Sequence, residues 1–94
     1  MSEIGCVVIS AAGKDRDGWM VVVRLDDDSI WVADGRHRRL EAPKRKNPRH
    51  LRLTPYRVEA LDMATNRGLR RALAAFREAA PIEYGRLSVS GTDH

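Results

Sequence analysis

Ninety-four residues, 43% hydrophobic and 32% charged, suffice for one small domain with a single modest core and leave no room for two. No apolar run exceeds five residues, far below the roughly 18–20 that a membrane-crossing helix needs, and Met1–Ile4 has neither a basic n-region nor an apolar h-region. A cytoplasmic protein with no membrane partner is therefore expected. The net charge of +4 hides an uneven distribution: residues 36–52 hold eight Lys/Arg against Glu41 alone, a local +7, while the remainder has nine Lys/Arg against twelve acids, or −3.

Taken in chain order, Ile4–Ser10 is a nearly continuous β-branched, apolar run that predicts a first strand, and the single Cys6 within it reads as a small buried hydrophobe. "AAGKDRDG" is turn chemistry. "WMVVVRL" from Trp19 predicts a second strand, and Asp26–Asp27–Asp28–Ser29 a turn, because short Asp side chains bond their own backbone. "IWVA" follows as a third strand. Asp34–Gly35 is a strong tight-turn dipeptide, so "RHRRL" beyond it is expected to return as a fourth strand. Pro43 and Pro48 bracket "APKRKNP", which should lie outside the sheet since proline donates nothing to a ladder. "HLRLT" alternates and closes the set as a fifth strand.

Five short strands within about 50 residues predict a mainly β fold with C-terminal α, a small SH3-like barrel followed by one or two helices. "PYRVEALDMA" is expected to be a short helix opened by Thr54–Pro55. From Leu69 the period changes: Leu69, Ala72, Leu73, Phe76 and Ala80 follow the i, i+3, i+4, i+7 pattern of one helix face, with Thr65 or Asn66 as cap and Pro81 as stop. Arg67, Arg70, Arg71 and Arg77 fall off that apolar stripe. The division expected is a barrel over residues 1–54, a helical extension over 55–80 and a tail over 81–94, whose weak alternation leaves strand, partner-binding segment and frayed end all open.

Three stretches resemble the KOW-domain RNA-binding proteins, a small bacterial group related to archaeal and eukaryotic large-subunit ribosomal proteins. They are "IGCVVISAAGKD", "VVVRLDDDSIWVADG" and "RRLEAPKRKNPRHLRLT", which together cover most of residues 4–54. The resemblance implies an SH3-like barrel that binds RNA in a ribosomal context, with RNA contacts at Arg38, Arg39, Lys44, Arg45, Lys46, Asn47, Arg49 and His50. One departure counts against the first loop: family members often carry lysines and glycines there, whereas Asp15 and Asp17 interleave with Lys14 and Arg16 and would repel phosphate.

Charge alone points the same way, since cations that neutralise phosphates release bound counterions and so supply affinity without reading sequence. Arg36 and Arg52 complete the expected RNA-binding set, with Lys14, Arg16, Tyr56, Arg70 and Arg71 as further candidates and Tyr56 as the base-stacking one. Trp19 and Trp31 are expected to pack in the core or at the barrel rim. His37 and His50 have no paired Cys, so neither zinc nor any other cofactor is expected. With no GxSxG, HExxH or Walker-type loop, a binding protein is expected rather than an enzyme, with ribosomal RNA as partner, ribosomal proteins as further neighbours and no small-molecule substrate. The alternatives are a protein-interaction module of the translation or transcription machinery, and DNA binding through the basic helix.

Overall fold

The computed structural model describes residues 3–80. Five strands, β1 (Cys6–Ser10), β2 (Trp19–Leu25), β3 (Ile30–Ala33), β4 (Lys44–Lys46) and β5 (Leu51–Arg57), form one antiparallel sheet in the order β4-β3-β2-β1-β5, and a single helix, α1 (Asn66–Ala79), follows. The tail expected over 81–94, and the stop at Pro81, lie outside the described residues. Among the described residues no helix is long and apolar enough to cross a membrane.

The first three strands stand where the β-branched runs predicted them, although β1 opens at Cys6 because Gly5 takes a positive φ and Ile4 is half exposed. These runs are apolar on both sides because both faces of the sheet are buried. Val7, Ile9, Trp19, Val21 and Ala33 line one face, and Cys6, Val8, Met20, Val22, Ile30 and Val32 the other. Cys6 is buried, as expected, while Trp19 is a core residue and Trp31 sits half-buried at the rim, with its indole N–H donating to Asp26 Oδ2 at 2.9 Å.

Helix α1 covers the first face. Thr65 caps it, its hydroxyl accepting the Gly68 N–H at 3.0 Å, and Leu69 and Leu73 sink into the cluster formed by Val7, Ile9 and Val21. Phe76 stacks on Tyr56 at 5.2 Å between centroids, and Tyr56 on Trp19 at 6.3 Å, so an aromatic row ties α1 to β5 and β2. The helix ends as Ala80 turns extended, the conformation a residue preceding proline favours.

Three expectations are corrected. The segment 36–40 is no strand, because the Asp34 carboxylate accepts the backbone N–H groups of Arg36 (2.8 Å) and Arg38 (2.9 Å) while Arg38 O accepts those of Asp34 (2.8 Å) and Gly35 (3.0 Å). Groups that a ladder would need are thus tied into a knot. The chain rejoins the sheet further on, where Lys44, Arg45 and Lys46, expected in an exposed loop, pair with Val32, Trp31 and Ile30 as β4. Pro43 and Pro48 flank this edge strand instead of interrupting it, and Pro48 opens a 3-10 turn (Pro48–His50) whose Arg49 N–H bonds to Asn47 Oδ1 at 2.9 Å.

The short helix expected over 55–64 is likewise absent. Strand β5 continues through Pro55 to Arg57 at the other sheet edge, and Pro55 falls where the register with β1 shifts, between the Val8–Leu53 and Cys6–Arg57 pairs. A residue that donates nothing is tolerated at such a place. Turns then carry the chain to Thr65.

Gly35, at φ +80°, lies against α1, where an added Cβ would meet the Asn66 carbonyl. Gly35→Ala should therefore lower stability by about 1–3 kcal/mol, read as a lower urea midpoint at constant slope. An unchanged midpoint would show that the turn and helix are not in close contact.

Candidate nucleic-acid interface

The basic run from Arg36 to Arg52 does not stay together in space. Arg39 is exposed but bonded to Glu41, Nε to Oε2, at 2.8 Å. Arg45 donates from Nε to Ser29 Oγ at 2.6 Å and shares a hollow with Asp26, Asp27, Asp28 and Trp31. Lys44 and Lys46 flank it on the opposite side of the pleat. Asn47, Arg49 and His50 occupy the turn after β4, which leans on the first loop through an Ala11 N–H to His50 O bond of 2.8 Å, and Arg52 is exposed on β5. Tyr56, considered for base stacking, instead lies in the aromatic row beneath α1.

The chain nevertheless assembles a cationic site elsewhere. A cleft of about 740 Å³ opens between the first loop, the 34–38 turn and α1, lined by Lys14, Arg16, Arg36, Arg38, Arg70 and Arg77, with His37 alongside. Asp34 is the one carboxylate among its described lining residues, and its Oδ1 is already engaged by the two backbone N–H groups of the turn. Among the described residues no carboxylate pairs with Lys14, Arg16, Arg36 or Arg77. Lys46 continues the positive surface toward the first loop, its Nζ lying 3.8 Å from where a Cβ on Gly13 would stand.

Each wall has a local cause. The first loop bends through a 3-10 turn at Gly13–Asp15 and a left-handed Asp17 (φ 67°), whose N–H bonds Ser10 O at 2.7 Å; Lys14 and Arg16 reach the cleft from it. The 34–38 turn is held by Asp34. Helix α1 presents Arg70, Ala74 and Arg77, the i, i+4, i+7 stripe beside its buried leucines.

Two of the walls, the 34–38 turn and α1, are fixed to each other by polar bonds. Arg70 Nη1 donates to Gly35 O at 3.0 Å, Leu40 N–H donates to Asn66 Oδ1 at 2.8 Å, and Asn66 Nδ2 donates to Glu41 Oε1 at 2.9 Å. Hydrogen bonds from Arg39 and then Asn66 hold the Glu41 carboxyl down to about 2 from its ordinary 4.5.

Sequence reasoning thus named Lys14, Arg16, Arg36, Arg38 and Arg70, which the fold brings together, while Arg71 is exposed away from the cleft lining. Arg77, set with Arg70 off the apolar stripe, was not carried into the candidate set although its seven-residue spacing from Arg70 was the available signal, and His37 was weighed only as a metal ligand. No protein-family model and no curated protein matches the chain.

Because the carboxylate is favoured in the folded state, the Glu41 clasp contributes stability that is fully present above pH 4.5 and is lost as pH falls through about 2. An NMR titration of the Glu41 carboxyl should give a midpoint near that lower value, and Arg39→Ala should move it back toward 4.5. A wild-type midpoint of 4.5 would mean that the clasp is not formed in solution.

Proposed function

We propose that the protein binds structured RNA through its phosphate backbone, as an SH3-like KOW module associated with the ribosome. The observation that carries this is the cleft, where, among the described residues, six cationic side chains face one carboxylate, Asp34, whose Oδ1 is already engaged by two backbone N–H groups. Concentrated like charge raises the local potential and is compensated when a polyanion displaces its counterions. Arginine suits this role, since its planar fork meets phosphate oxygens in pairs and its face can stack on a base.

The strand order supports the barrel. A meander β1 to β4 with β5 returning beside β1 is the arrangement expected of the resemblance drawn from Ile4–Thr54. Leu51 of β5 packs in one cluster with Ile30 and Val32 of β3, although β1 and β2 lie between those strands, and α1 contributes nothing to that cluster. A cluster shared by residues from both halves of the sheet is consistent with a sheet curled onto itself, an arrangement that protects strand edges. Ribosomal RNA is the fitting target because folded RNA is recognised largely through shape and backbone.

Lys14, Arg36 and Arg77 carry no ion pair among the described residues, so replacing them tests the cleft without dismantling a bond. Each change to Ala should weaken binding to a ribosomal RNA fragment and reduce the slope of log affinity against log salt by about one, whereas Arg45→Ala, on the acidic side, should leave both nearly unchanged. The measurement is fluorescence anisotropy across a salt series, with duplex DNA as competitor. If the triple variant binds RNA as the parent does, or if duplex DNA displaces RNA at equal concentration, the proposal is wrong.

A further inference from the structure

We infer that the cleft takes an unpaired stretch of RNA, one strand lodged between the first loop and α1, and not the groove of a duplex. The inference rests on the RNA reading above and specifies which part of a folded RNA the site receives.

The cleft has two walls of the same sign. Lys14, Arg16 and Arg36 approach from the sheet side, and Arg70 and Arg77 from the helix. A single strand between them is neutralised from both sides. A duplex cannot be, because its backbone runs along the rim of a wide cylinder and would meet one wall at a time; A-form RNA in particular offers a major groove too narrow for side chains and a shallow minor groove.

The helix wall is shaped for a strand. Seven residues separate Arg70 from Arg77, about 10 Å along the axis, which spreads the two guanidinium groups along the run of a backbone. Between them stands Ala74, whose methyl group leaves the wall low. The residues between the walls, Gly18 and the largely buried Trp19, Met20 and Leu73, carry no charge, so the cations that meet a backbone stand on the walls.

The 34–38 turn and the helix need not be brought together on binding. The Arg70 to Gly35 bond and the Asn66 contacts to Leu40 and Glu41 already hold the turn that carries Arg36 against α1, so little ordering cost falls on that part of the cleft when a strand enters.

The test compares, at one fixed salt concentration, an A/C-only RNA strand of about a dozen nucleotides, the same strand annealed to its complement, and a hairpin that carries it as the loop. Strand and hairpin should bind on the order of tenfold more tightly than the duplex. Ala74→Phe, at an exposed helix position, should remove that preference by weakening strand and hairpin binding while leaving duplex binding nearly unchanged; Arg77→Ala should act in the same direction, and circular dichroism checks that each variant keeps its fold. Equal binding of strand and duplex, or a preference untouched by both substitutions, overturns the inference and leaves the RNA reading standing. Failure of all three RNAs to bind overturns the reading itself and the inference with it.

Discussion

The apolar seam between α1 and the sheet is the constraint from which the rest follows. A five-stranded sheet that is hydrophobic on both faces needs a cover for the face where Val7, Ile9, Trp19 and Val21 lie, and Leu69 and Leu73 supply it, at 0% and 4% exposure. Seating those two leucines leaves the helix no rotational freedom. Its neighbouring stripe is then turned toward the 34–38 turn, and arginines that an isolated helix would scatter into water become one wall of a cleft. The candidate site is a by-product of where the core forces the polar side of a helix to stand.

What could be read from the sequence was whatever is written in local periodicity. Strands β1 to β3 announce themselves by β-branched runs, and α1 by the spacing of Leu69, Leu73 and Phe76 with Thr65 before them. Strand β4 is illegible by the same rule, since Lys-Arg-Lys has no apolar pattern and becomes a strand only because β3 offers it an unpaired edge. The segment 36–40 misleads in the opposite sense: Asp34 can either open a hairpin or gather backbone N–H groups onto its own carboxylate, and only the fold decides. Pro55 was equally ambiguous, being as acceptable at the first turn of a helix as on an edge strand.

The candidate site was legible in its ingredients but not in its assembly. Charge density along the chain peaks between residues 36 and 52, yet Arg39 meets Glu41, Arg45 turns to Ser29, and the cationic cleft draws on residues up to sixty-three positions apart, Lys14 and Arg77. The acids that cast doubt on the first loop illustrate the difficulty. Asp17 lies beside Lys14 and Arg16 in the chain, but it takes a left-handed turn and does not line the cleft to which those two contribute. Linear neighbours say little about a potential that is summed through space.

Not every cation in the basic run has to meet a ligand. Strand β4 is three residues long, wholly cationic and placed at one border of the sheet, and Pro55 interrupts the opposite border. An intruding strand from another molecule would find like charge on one side and a missing donor on the other, so stacking of copies into fibrils is resisted at both ends. The lysines that crowd charge onto this border also disfavour its pairing with a second copy.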